Sequence, residues 1–143
     1  MKKITRRSTC PISTTLDILG DKWTLLIIRD LMFKGKRTYG EFLQSEEKIA
    51  TNILADRLLI LEEKGIVEKG AFPGNKVKNL YQLTPKGVDL MPILLEIISW
   101  GDKYFEIPER VHRFAGEIRK DRKGMIKEIS KRLAATDAES LTK

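Results

Sequence analysis

Apolar residues recur along the first part of the chain with the period of a helix. From Ser13 to Phe33, Leu16, Leu19, Trp23, Leu26, Ile27, Leu31 and Met32 follow one another at spacings near three and four, which places them on one broad apolar face. Gly20-Asp21 divides this stretch into two helices, with Asp21 accepting a free backbone N–H of the second, and Gly35, between two lysines, ends it. Thr38 and Glu41 have the spacing of a capping box, so a short helix is expected from Tyr39 to about Gln44, with Phe42 and Leu43 as its buried residues. After a polar connector, Ser45 to Lys48, the helical period returns at Ile49 and holds to Lys64. Leu54, Leu58 and Leu61 face inward, Ile53 lies beside them, and Gly65 supplies the stop.

The period then changes. Ile66 to Phe72 is rich in β-branched residues and charges, Pro73-Gly74-Asn75 is a turn signal, and Leu80 to Thr84 alternates like a short strand. A β-hairpin with a long basic loop carrying Lys76 and Lys78 is the expected result. Thr84-Pro85 opens a further helix, predicted to run to about Phe105, with Val88, Leu90, Met91, Ile93, Leu94, Leu95, Ile97, Ile98 and Trp100 around much of its circumference. Beyond Pro108 a sparser stripe of Val111, Phe114 and Ile118, resumed by Met125, Ile129 and Leu133 after Gly124, predicts one or two amphipathic helices and a frayed tail from about Ala135.

The predicted fold is therefore mainly α with a small β-hairpin. The order helix, helix, short helix, tight connector, longer helix, hairpin, helix is that of a winged helix-turn-helix, with the DNA-reading domain and dimerisation helices in residues 1–108 and a basic helical extension in 109–143. A helix of about a dozen residues fits the major groove of B-DNA while the preceding helix braces it. On the helix from about Ala50, the inward leucines leave Thr51, Asn52, Ala55, Asp56 and Arg57 to the groove. Asn52 can pair with adenine, and Arg57 with guanine or a phosphate. Lys36, Arg37 and Thr38 precede the short helix where phosphates can be met, and Lys76 and Lys78 offer the same from the hairpin.

Composition narrows the alternatives. With 143 residues the chain holds one domain of ordinary size, and its net charge of +7 favours a polyanionic partner. A single Cys and a single His cannot staple a secreted scaffold or fill a usual zinc site. The basic start MKKITRRSTCP lacks an apolar continuation, and no apolar run approaches the roughly 20 residues needed to span a bilayer. A cytoplasmic protein is expected, with no membrane partner. Catalysis is not expected, because neither a nucleophile with its base, nor a metal cluster, nor a phosphate-cradling loop is visible, and no cofactor is assigned. Trp23 and Trp100 read as core or interface residues, and His112 receives no role. The long helix from Pro85 carries more apolar surface than a small winged domain can cover, which predicts a homodimer on a pseudo-palindromic site in double-stranded DNA. A winged-helix module that binds another protein instead of specific DNA stands as the alternative.

Several strings resemble the HxlR-type regulators, a branch of the MarR-like winged-helix proteins. They are Cys10-Pro11, LDILGDKWTLLIIRDL from Leu16, IATNILADRLLILEEKGIVEK from Ile49, YQLTPKG from Tyr81, and Trp100-Gly101. The resemblance, spanning roughly Cys10 to Gly101, implies a cytoplasmic dimeric transcription factor that represses or activates nearby operons. Family members often carry serine where Ala50 stands, and here Thr51 takes its place. The segment beyond Pro108 is longer and more basic than the usual ending. Because some members sense oxidants or electrophiles through an N-terminal cysteine, the resemblance also makes Cys10 a candidate redox sensor. Arg6 and Arg7 would favour its reactive thiolate, and one unpaired Cys per chain permits a bridge across the dimer. A small-molecule or oxidant effector that changes operator affinity is the regulatory mechanism expected.

Overall fold

A computed structural model describes residues 7–142, except the side chains of residue 76 and of residues 137–142. Helix α1 (Pro11–Leu19) and helix α2 (Thr24–Phe33) are separated at Gly20, as the pattern requires. The Asp21 carboxylate accepts the backbone N–H groups of Trp23 (2.8 Å) and Thr24 (3.0 Å), so two donors at the start of α2 are satisfied by one side chain. Gly35 closes α2 in the left-handed conformation, φ +65°. The capping box then forms in full around helix α3 (Tyr39–Leu43), where Thr38 accepts from the N–H of Glu41 and Glu41 accepts from the N–H of Thr38. Helix α4 (Thr51–Glu63) buries Leu54, Leu58 and Leu61 and ends at Gly65, whose φ of +72° suits a residue without a Cβ.

Strands β1 (Val67–Phe72) and β2 (Asn75–Leu83) form the antiparallel hairpin, with Val67 opposite Leu83 and Gly70 opposite Leu80. The expected long basic loop is not there. The turn is only Pro73-Gly74, and Lys76 and Lys78 belong to the first residues of β2. The pairing is irregular at this point: Ala71 faces Asn79 while Phe72 faces Asn75, so the residues between bulge outward. The Asn75 side chain holds the bulge by accepting the N–H groups of Val77 and Lys78.

The helix expected from Pro85 to Phe105 is two helices, α5 (Pro85–Val88) and α6 (Met91–Tyr104). Pro92 is the reason. Inside a continuous helix it would lack an N–H and clash with the carbonyl four residues back, whereas at the start of a new helix it fits. Helix α7 (Glu109–Lys120) and helix α8 (Arg122–Thr142) follow, and helical backbone continues past Ala135, where fraying was expected. Ile118 and Ile129 of these helices join the same buried cluster as Ile28, Leu54, Leu58 and Leu95, and Phe114 packs edge-on against Phe33 at 6.0 Å. On α6, Asp102 ties α7 down by accepting from Arg119 and meeting His112 Nδ1, each at 2.6 Å. Among the described residues no helix is long and apolar enough to cross a membrane, and no group of metal-ligating side chains is present.

Candidate nucleic-acid interface

Helix α4 presents its outer face because its inner one is committed to the core. Thr51, Asn52, Ala55 and Asp56 are exposed in one run, and Leu59, 55% exposed, continues it one turn on. Pattern reading passes over Leu59 because an apolar residue in the run Leu58 to Leu61 looks like core. Its neighbours Leu58 and Leu61 take the inward positions, leaving Leu59 as an exposed apolar residue on the outer face. Ala50 supplies no side-chain cap, and the N-terminal turn of α4 is braced instead by Tyr39, whose hydroxyl donates to the Thr51 carbonyl at 2.5 Å. This bond ties the start of α4 to α3. Nothing in the sequence joins two residues twelve positions apart in this way.

Arg57 is half-buried. Its Nε donates to Asp21 Oδ1 at 3.1 Å and its guanidinium also meets Asp56 at 2.6 Å. Burial pushes the Asp21 carboxyl up, but the Thr24 hydroxyl, the N–H groups of Trp23 and Thr24 and the Arg57 charge outweigh it and hold it below the usual carboxylate value. Arg57 thus links α4 to the α1–α2 corner, whereas Asn52 stands free on the outer face.

The residues before α3 are also engaged inside the protein. The Lys36 ammonium donates to Ser45 Oγ at 2.8 Å and lies 3.9 Å from Asp30, and the Thr38 hydroxyl, buried, is held in the capping box. Asp30 is the centre of this cluster. It is 2% exposed, accepts from Ser45 at 2.5 Å and from Arg29 at 2.9 and 3.0 Å, and so connects α2 to the connector between α3 and α4. Arg29 forks onto Glu47 as well, with bonds of 2.8 and 2.9 Å. The Arg29 bonds bring the Glu47 pKa down to about 2, and the two carboxylates raise that of Arg29. Arg37 is half-buried at the N-terminal side of α3, and its carbonyl accepts the N–H of Tyr81, which fastens the hairpin to the capping box. Lys78 sits on the exposed bulge with its ammonium 4.5 Å from the centre of the Phe72 ring, close to the turn of the hairpin. The Lys76 side chain lies outside the described residues.

Cys10 is exposed and occupies the residue before α1. Arg7 does not serve it, because its guanidinium donates to Asp17 at 2.7 Å, and Arg6 lies outside the described residues.

A short capped helix, a tight connector, an outward-facing second helix and a hairpin fastened beside them define a winged helix-turn-helix. Residues 18–109 match the HxlR-like helix-turn-helix family, and the chain belongs to it. Over 95 residues it is 36% identical to the uncharacterized HTH-type transcriptional regulator YdeP of Bacillus subtilis (strain 168), covering 66% of this chain and 73% of that protein. The reduced form of the transcriptional regulator YodB from B. subtilis superposes with a TM-score of 0.57 at 34% identity, over 69% of this chain and 97% of that one. The redox regulator HypR in its oxidized form gives a TM-score of 0.60 at 33% identity, over 68% and 100%. The protein is a transcriptional regulator of the HxlR and MarR-like type.

Proposed function

We propose that the protein binds a pseudo-palindromic operator in double-stranded DNA as a homodimer. The observation that carries this reading is the outer face of α4, where Thr51, Asn52, Ala55 and Leu59 are exposed on a helix held rigidly by Tyr39 and the Asp30 cluster. Asn52 reads an adenine edge, Leu59 and Ala55 meet thymine methyls, and Arg37 and the basic bulge with Lys76 and Lys78 approach phosphates. Lys36 and Arg57, in the free protein, set the position of the reading head from inside. A phosphate or a guanine would have to draw Arg57 away from Asp21.

The dimer is supported by an apolar surface that one chain leaves open. On α6, Ile93, Ile97, Trp100 and Tyr104 are exposed along one stripe with Phe105 beyond it, and on α1 so are Ile12 and Leu16. Trp100→Ser should therefore weaken self-association at least about tenfold in sedimentation velocity while the far-UV circular dichroism keeps its helical signature, and an unchanged dimer would move the seam elsewhere.

Titration against the gene's own upstream DNA and a scrambled duplex, at low and near-physiological salt, tests the function. Preference for the promoter by about a thousandfold is expected, and Asn52→Ala should cut that preference at least about tenfold. Equal binding to both duplexes that salt abolishes would instead favour a protein-binding winged helix.

Oxidant response through Cys10 is supported by its exposure and by the relatives described as a redox regulator and as quinone-bound. Diamide should change operator affinity of the native chain and leave Cys10→Ser unchanged. An equal response in both would remove the cysteine from the mechanism.

A further inference from the structure

Between α2, α6, α7 and α8 lies an open groove of about 870 Å³. Its walls are apolar, with Leu25 and Phe33 from α2, Leu94 and Ile98 from α6, Phe114 from α7 and Met125 from α8. A volume of this order accommodates a small organic ligand of drug-like size. Two of its four walls, α7 and α8, lie beyond residues 18–109, so the groove exists only because this chain extends past its family's common domain.

The polar residues at the groove divide into two groups. Asp21 and Arg29 are turned toward the reading head, where Asp21 holds Arg57 of α4 and Arg29 holds Glu47 in the connector before α4. The others are Lys22, Lys34, Arg110 and Arg132, against the carboxylates Glu117 and Glu128. Arg110 and Arg132 stand on α7 and α8, and among the described residues neither guanidinium has a carboxylate partner. The balance is therefore cationic above an apolar floor.

We propose that this groove is an effector site for an amphipathic organic anion, an aromatic or aliphatic body carrying a carboxylate or sulfonate. The body lies on Phe33, Ile98, Phe114 and Met125, and the anionic head meets Arg110 or Arg132 at the rim. A ligand there touches the residues that fix Arg57 and Glu47, so occupancy biases the placement of α4 through two contacts. This regulatory half rests on the reading of the chain as an operator-binding protein, whereas ligand binding itself does not.

Anilinonaphthalene sulfonate is the probe, and its uncharged analogue phenylnaphthylamine the control. With the full chain, the fluorescence of the sulfonate should rise saturably with one site per chain. Arg110→Ala/Arg132→Ala, both changes at exposed positions, should weaken the sulfonate about tenfold, leave phenylnaphthylamine binding unchanged and keep Tm. Val111→Trp should close the groove to both dyes. Equal sulfonate affinity in the native chain and in both variants would overturn the site. So would dye binding that disappears as protein concentration drives self-association, since the groove would then be filled by a second copy. Saturating sulfonate should shift the Kd for the promoter duplex at least about fivefold, and an unchanged Kd would overturn the coupling. If no duplex binds, the operator reading fails, while the fluorescence still decides the groove.

Discussion

Asp30 stands alone in the sequence as one acid in an apolar helix, and its surroundings give it a large effect. Its carboxylate is buried with Ser45, Arg29 and Lys36 around it, and Asp30→Ala would take from Ser45 its acceptor and from Arg29 and Lys36 the buried charge they share, leaving Arg29 to Glu47 alone. Removing one partner of a buried charged cluster is expected to cost about 3 kcal/mol, read as a lower urea midpoint at constant m-value. A loss under about 1 kcal/mol would make the cluster peripheral. Glu47 gives the pH dependence. Its pKa in the folded chain is about 2 against an ordinary 4.5, so its ion pair with Arg29 stabilises fully above 4.5 and is lost as pH falls toward 2. Glu47 is partly open to solvent, and after discounting for screening the contribution is about 1 kcal/mol. Glu47→Gln should therefore lower stability at pH 7 by that amount and flatten the acid limb between pH 4.5 and 2, as followed by urea unfolding at a series of pH values. Asn52 was legible in the sequence because its leucine neighbours set the inner face. The roles of Lys36 and Arg57 were not, because their partners lie nine and thirty-six positions away.

Element boundaries follow local chemistry closely where a side chain bonds its own backbone. The Asp21 cap, the Thr38–Glu41 box and the Thr84 cap all bond within a few residues, Gly65 stops its helix by its backbone conformation, and each is where the pattern places it. The hairpin-to-helix junction adds a constraint that pattern reading does not reveal. A Cβ on Gly87 would stand 2.3 Å from the Ile66 carbonyl oxygen and 2.9 Å from a Leu83 methyl. Since Ile66 O is backbone and already accepts the Thr84 N–H, it cannot move cheaply. Gly87→Ala should destabilise by about 2 kcal/mol, measured by thermal unfolding, whereas a neutral result would mean that α5 slides freely on the hairpin. The α5–α6 break went the other way. Apolar residues on both sides of Asp89 continue one helical stripe and mask it, and Pro92 signals it only once the helix is known to restart there.

For the whole molecule, the extension after Pro108 is joined to the common domain by packing and by charge. Ile118 and Ile129 sit in the shared core, and Asp102 is held ionised by Arg119 first and His112 second, below its usual pKa. Truncation after Pro108 would uncover α2 and α6 surface that these helices shield. A fall in Tm of at least about 5 °C is expected by calorimetry. An unchanged Tm would mean that residues 109–143 are an appendage to an autonomous winged domain. The same truncation removes two walls of the effector groove, so dye binding should disappear with it.

By itself the sequence determined the order of elements as far as the hairpin, the caps of Asp21, Thr38 and Thr84, the inner face of α4 and the placement of the hairpin. These depend on periodicity and on bonds between residues within one or two turns, which are written in neighbouring letters. Tertiary structure decided which cations are engaged inside, which leucine faces outward, that Tyr39 ties the start of α4 to α3, and that the extension encloses a groove. Each of those depends on residues distant in the chain meeting in space, where burial and pairing choose among side chains that look alike in sequence.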